Sequence, residues 1–462
     1  MHRPRSIRLR SVLLLLAAAL ALPACGELTV PDYNNQDLDV LQGSPTPTII
    51  GQAAQGMLFG SRSYMGAQNG YVSLLGIVGR ESYNFDPADP RFITEMLVGP
   101  LSPGSPAFGA NLYALYYRNI RLGNIILDAL DRVTLMTDAE KEAVRGFVKT
   151  IQAHDFLMLV NTRHDLPLAI DVSIDPVGPP APLVARDQVL ARIVQLLDEA
   201  STHLGAGGSR FPFSLGPGFA GFDAPATFRQ FNRALKARVD VYMGNHAAAL
   251  TSLGASFIDP NGSLDLGTYH VFSTASGDID NQLFDPNGRA ILAHPSIVTD
   301  AQLKADGSPD ARLERKVTAL PAPRTVQNVT TDRLFTIYTS PRASIPIIRN
   351  EELILLRAEA RFLNTPSDPV GALQDINVIR QRSGGLPPRG AFTSNDDFIT
   401  ELLYNRRYSL LFEGGHRWID ARRHGRLAQL PRALATHPVP PSRFPYPESE
   451  CLARDPAPAQ GC

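Results

Sequence analysis

Residues 405–423 read Asn405-Arg406-Arg407-Tyr408-Ser409-Leu410-Leu411-Phe412-Glu413-Gly414-Gly415-His416-Arg417-Trp418-Ile419-Asp420-Ala421-Arg422-Arg423. Three apolar residues, Leu410 to Phe412, interrupt a dense run of charge, and the single tryptophan of the chain stands inside it. Glu413 and Arg417 are four apart and Asp420 and Arg423 three apart. Both pairs form if one helix continues across the two glycines. Glu413, Arg417, Trp418, Asp420 and Arg423 then make a structural polar box, an internal salt-bridge network that locks the last helices to the body. A polar active site is the competing reading of the same residues.

Outward from this box the chain is mostly helical. Glu351–Leu363 carries Ile354, Leu355, Ala358 and Phe362 at helical spacing, and after a break at 364–369 the helix resumes over Ala372–Arg382. Asp396–Arg423 is a third helical run. Further upstream, Asn111–Leu130, Asp138–Val160, Asp187–Leu204 and Thr227–Leu253 repeat the period, the second opening on Thr137 or Asp138 as N-cap with Glu140 and Glu142 behind it. Thr227–Leu253 breaks at Gly244-Asn245 into two helices. Ala237, Gly244 and Ala249, echoed by Ala358, Asn364 and Ala372, place small residues where a tetratricopeptide-like hairpin needs its helices close. The fold class predicted is therefore mostly α: an α-superhelix of tetratricopeptide-like helix pairs (about 111–255 and 350–425) with a long irregular loop-rich part. The loop-rich insertion is about 257–346, in which Leu334–Tyr338 reads as a short strand. Gly205–Pro225 is a second irregular stretch.

The N-terminus sets the compartment. Arg3, Arg5, Arg8 and Arg10 precede an apolar run, Val12 to Leu22. That run is too short for a bilayer core of about 30 Å, which takes about 20 helical residues, so residues 1–24 read as a signal peptide. It ends on Leu22-Pro23-Ala24-Cys25-Gly26, which resembles a bacterial lipobox. That resemblance implies cleavage before Cys25 and lipidation of its thiol with acyl chains of the palmitate kind. Residues 25–47 form the lipidated Cys and a polar tether, 48–450 the main domain and 451–462 a C-terminal tail. Cys451 and Cys462 either pair across that Pro-rich tail or remain two thiols.

Composition narrows the function. The chain has 462 residues, 44% hydrophobic and 19% charged, enough for a real core. Its 44 Lys and Arg against 45 Asp and Glu leave no basic excess for nucleic acid. Gly216-Pro217-Gly218-Phe219-Ala220-Gly221 fits GxGxxG in letters, but the prolines around it deny the strand and helix that a nucleotide site needs. His416 and His424, eight apart, lack acidic or Cys ligands at metal spacing, and Asp278, Asp280 and Gln282 lack the glycine and closing Glu of a calcium loop. No cofactor, no metal and no catalytic residue is expected: the chain reads as a binding module and not an enzyme.

Phe412-Glu413-Gly414 followed by His416-Arg417-Trp418, Asp420 and Arg423 resembles the closing motif of the SusD/RagB family of outer-membrane nutrient-binding lipoproteins. Other pieces agree in order: Tyr117, Ile120 and Asn124; Arg145 through Leu159 with Asp165-Leu166-Pro167-Leu168; Leu235-Lys236-Ala237-Arg238, Tyr242 and Gly244; Glu352, Leu355, Arg357 to Ala360, Asn377 and Arg380; Pro438-Val439-Pro440. Two departures are Ser409, where the family often has an acid, and the second glycine, Gly415. The resemblance implies a protein lipid-anchored in the bacterial outer membrane and probing the cell surface. It would capture an oligosaccharide or peptide fragment and deliver it to a TonB-dependent, SusC-like transporter barrel. Glycan-binding members use exposed aromatics. With Trp418 committed to the box, the expected ligand face falls to loop rings: Tyr83, Phe85, Tyr269, Phe272 and Phe284. A periplasmic helical-repeat scaffold and a secreted glycoside-active enzyme are the alternatives in other classes.

Overall fold

The computed structural model describes residues 38–104, 111–175 and 177–462; the signal segment and Cys25 lie outside them. Residues 41–462 form one compact unit. The first long helix, α1 (Pro47–Arg62), starts on a Thr46 N-cap with proline in its first turn. Next comes α2 (Tyr71–Val78), with all eight residues buried. The repeats follow as α3 (Asn111–Ala129), α4 (Asp138–Arg163), α5 (Arg186–Ala206), α6 (Pro225–Met243) and α7 (His246–Gly254). The C-terminal part holds α8 (Asn350–Leu363), α9 (Pro369–Arg382), α10 (Asn395–Ser409) and α11 (His416–Arg423).

The sequence signals that end and start these helices are visible. Thr137 caps α4 and forms a capping box with Glu140, which satisfies two orphan amides at once. Gly244 sits left-handed at φ 77°, ends α6 and turns the chain into α7, a conformation glycine adopts without a Cβ penalty. Neighbouring helices pack in chain order: α3 on α4, α5 on α4 and α6, α6 on α7, α8 on α9. The small residues are where close approach demands them, with Ala237, Ala249, Ala358 and Ala372 all fully buried. One apolar core runs through most of the molecule; a second joins α8, α9 and α10 through residues including Ile354, Ile376, Phe398 and Leu402.

The region between α7 and α8 carries more order than a loop-rich insertion implies. A four-stranded antiparallel sheet runs β1 (Ser82–Asn84), β5 (Ile291–Ala293), β7 (Val329–Phe335), β6 (Val317–Val326). Two small pairs stand apart: β2 (Leu168–Ala169) with β3 (Leu183–Val184), and β4 (Gly267–His270) with β8 (Ile345–Arg349). The strand expected over Leu334–Tyr338 starts earlier, as β7, and ends at Phe335. Within Gly216–Gly221 a short 3-10 turn spans Pro217–Phe219, and its Gly218 lies so close to the Tyr269 carbonyl that a Cβ would clash at 2.1 Å, so this glycine serves packing.

Candidate functional site

The box at 405–423 does not form as one helix. Helix α10 stops at Ser409, Phe412 turns left-handed at φ 56°, Gly415 follows at φ 71°, and α11 begins at His416. The expected Glu413–Arg417 pair is therefore absent. Glu413 instead receives Arg349 Nε and Nη2, each at 3.0 Å, and Lys316 Nζ at 3.0 Å. Arg417 donates to the Arg80 carbonyl. The Asp420–Arg423 pair forms at 3.0 Å and extends into a network: Arg406 on Asp420 at 2.6 Å, and Arg423 on Glu359 at 2.9 Å. Arg238 grips Glu352 with two contacts, 2.8 and 2.6 Å, and so ties α6 to α8. Trp418 is buried and donates its ring N–H to the Pro441 carbonyl at 2.8 Å. Ser409, the departure from the usual acid, donates to Glu351 at 2.5 Å and accepts from Arg312; a carboxylate there would face Glu351.

These charges are internal, and their titration follows from that. Burial pushes the Glu351 and Glu352 carboxyls up, but Arg349 and Arg238 beside them outweigh it and hold both at about 2. Burial pushes His416 down to about 4 and Glu81 up to about 7. The two depressed carboxyls add stability above their unfolded range near 4.5 and lose it as pH falls towards 2. His416 loses stability below about 6.5, while Glu81 gains it over much of the same interval as its proton returns, so these two offset each other. Burial also lowers His164 to about 4 and His270 and His294 well below the usual imidazole value, and Glu81, already set against His416, does not offset these three. The melting temperature is therefore expected to start falling below about pH 6.5 and to fall further towards pH 3, where the two glutamates add their loss. Thermal scans at pH 7, 4.5 and 3 check this; a level melting temperature from pH 7 to 4.5 would contradict it.

The five loop aromatics do not assemble into a face. Tyr83 and Phe85 are buried, stacked on each other at 5.6 Å, with His294 against Tyr83 at 4.9 Å. Phe272 is buried against Gly66, under the Arg62 guanidinium. Rings fully taken up by protein atoms offer no surface to a solute, which removes these three from a ligand face. Tyr269 and Phe284 are half-buried, Tyr269 donating to the Asp265 carbonyl and Phe284 packed on the main core. His416 and His424 do not converge on a shared ligand: His416 is buried near Glu352, and His424 faces Glu359 at 3.3 Å. Among the described residues no group of three or more His, Cys, Asp or Glu is placed to hold a metal ion. Asp278 pairs with Arg62 at 2.6 Å.

A recess lies elsewhere, between the start of α3, the β2–β3 hairpin and the C-terminal tail, with a cavity volume of about 590 Å³. The residues that resemble the first family motif build it. The Tyr117 hydroxyl donates to the Ala169 carbonyl at 3.1 Å and accepts the Ala169 amide at 3.0 Å. Asn124 donates to the Val172 carbonyl at 2.7 Å, and together they fasten the hairpin to α3. The tail closes the third side. Cys451 and Cys462 are joined in a disulfide, the Tyr446 amide donates to the Gly461 carbonyl at 2.8 Å, and Arg454 reaches the Ala181 carbonyl at 2.8 Å.

Residues 308–439, which contain the whole polar box, match the SusD family. That match spans 132 of the 462 residues, the C-terminal part of the chain. Solved structures agree on the fold. A SusD superfamily protein from Bacteroides vulgatus superposes with a TM-score of 0.69 at 16% identity, over 90% of this chain and 99% of that one. A SusD-like carbohydrate-binding protein from Bacteroides fragilis gives 0.67 at 15% identity, over 84% and 87%. A laminarin-binding SusD-like protein gives 0.60 at 18% identity, over 87% and 97%. No sequence match to a curated protein was found. The segment Phe412 to Arg423 lies inside the matched region, with its charged side chains paired in the interior.

Proposed function

We propose that this protein is a SusD-family outer-membrane lipoprotein that captures a nutrient, an oligosaccharide or peptide fragment, and hands it to a TonB-dependent barrel. The observation that carries the proposal is the superposition on SusD-family structures over nearly the whole described chain, carbohydrate-binding members among them. The chemistry of the interior agrees with binding and not bond cleavage. The buried carboxylates of the box, Glu351, Glu352, Glu359, Glu413 and Asp420, are each engaged by arginine. None of these is left as a general acid or base facing solvent. Among the described residues no helix is long and apolar enough to cross a membrane, so in this proposal attachment rests on the lipid at Cys25. Affinity purification of the chain from gently solubilised membranes is expected to bring down a barrel protein. Titration with glucan, galactan, uronate and peptide fragments should reveal one binding class. Recovery of the chain alone, with no fragment bound, would overturn the proposal.

A further inference from the structure

We infer that the groove between α3, the β2–β3 hairpin and the C-terminal tail binds a carboxylate-bearing sugar chain, an oligomer of uronic acids. The inference rests on the nutrient-capture proposal and gives it a place and a ligand chemistry. A recess of about 590 Å³ falls within the roughly 300–1,000 Å³ of small-ligand sites. A second recess of about 340 Å³, with Asn124, Gln152 and Arg192 on its walls, shares Val172 and Ser173 with the first. The two follow one edge of the hairpin, which suits an extended oligomer and not a compact solute.

Helix periodicity decides what faces that groove. Tyr113, Tyr117 and Arg121 are successive turns of α3, and Arg118 stands beside them. The Tyr113 and Tyr117 rings lie 4.8 Å apart. Because the Tyr117 hydroxyl is fully engaged by Ala169, the ring is fixed in place and its apolar surface is what remains for a ligand. Pro179, Pro180 and Pro447 add apolar walls.

Charge selects the ligand class. Glu450 is neutralised by Arg454 at 2.7 Å. Arg118 is exposed and has no hydrogen bond or ion pair among the described residues. Arg121 spends only Nε, on the Ser173 carbonyl at 3.0 Å, and keeps its terminal donors. Asp175, at the exposed mouth, already accepts the Val177 amide at 2.9 Å. Two guanidinium forks beside a tyrosine floor match a carboxylate on a sugar ring, since the fork meets both oxygens while the ring packs on the C–H face. The disulfide-tied tail holds the wall in place before binding, which lowers the ordering cost.

The test is calorimetry on the detergent-extracted full chain. The probes are pentamers of galacturonate, guluronate and mannuronate, beside a neutral galactose pentamer. At least one acidic pentamer should bind ten times or more tighter than the neutral one, and the preference should shrink as salt rises. The double variant Arg118→Gln, Arg121→Gln should weaken that binding about 10- to 100-fold while the melting temperature stays put. The pair Cys451→Ser, Cys462→Ser should weaken it less, with the acid preference kept. If no acidic pentamer binds, or the arginine variant binds as well as wild type, the groove inference falls. In that case retained binding of neutral fragments and a co-purifying barrel leave nutrient capture standing. Absence of those as well removes both.

Discussion

Glu352→Ala is expected to destabilise the folded unit by about 3–5 kcal/mol, because it strands the Arg238 guanidinium in the interior. Both partners are buried, and Arg238 has only the Ile347 carbonyl, at 2.7 Å, to fall back on. The positive neighbourhood worsens the loss, since Arg406 is also close enough to depress Glu352. Unfolding entropy scales with chain length, so in a chain this long each kcal/mol moves the melting point by about 1 °C, and the variant should melt roughly 3–5 °C lower. A double variant separates a stranded charge from lost packing. Arg238→Met with Glu352→Leu removes both charges and refills the space, and buried pairs replaced this way are commonly neutral in stability. The double variant should therefore recover most of the loss. If it melts no higher than Glu352→Ala, the pair contributes through shape between α6 and α8, and the charge argument is wrong.

The same pair shows what the sequence could and could not disclose. Arg238 and Glu352 each stood out within local motifs, yet they are 114 residues apart and no spacing rule links them. Local rules worked where the cause was local: Thr137 with Glu140 at the start of α4, Gly244 between α6 and α7, Asp420 with Arg423 on one turn. They failed for Glu413 and Arg417. A left-handed Phe412 and Gly415 break the helix between them, and at Gly415 an added Cβ would lie 2.4 Å from Leu75. Helix α2 carries no amphipathic period because every side is buried, so its run of apolar residues looks as much like a strand. Strand β6 hides behind Pro321 and Pro323, which read as loop. Tyr83, Phe85 and Phe272 were drawn to the surface by lying in loops, but a loop laid over a core buries its rings. The groove was out of reach for a related reason: its three walls come from α3, the hairpin near residue 175 and the tail near residue 450, and only folding brings them together.

Cys25→Ala is expected to move the mature chain from the membrane pellet to the soluble fraction almost completely. Each buried methylene of an acyl chain contributes roughly 0.8 kcal/mol, so one chain anchors weakly and two or more anchor firmly. In the proposed lipoprotein a diacylated thiol would hold the protein, and its loss would leave nothing comparable among the described residues, where no helix is long and apolar enough to span a bilayer. The alanine chain has one confounding fate. If the signal segment stays attached, its apolar run from Val12 to Leu22 adds a weak membrane affinity of its own. The measurement therefore pairs fractionation with the N-terminal residue and intact mass of each product. The wild-type chain should begin at Cys25 and carry the added mass of its acyl groups, and the cleaved alanine chain should lack that mass and stay in the supernatant after a carbonate wash. A cleaved, unlipidated chain that still pellets would place the attachment in the folded unit itself, and the division into a lipid tether and a water-facing capture domain would fail.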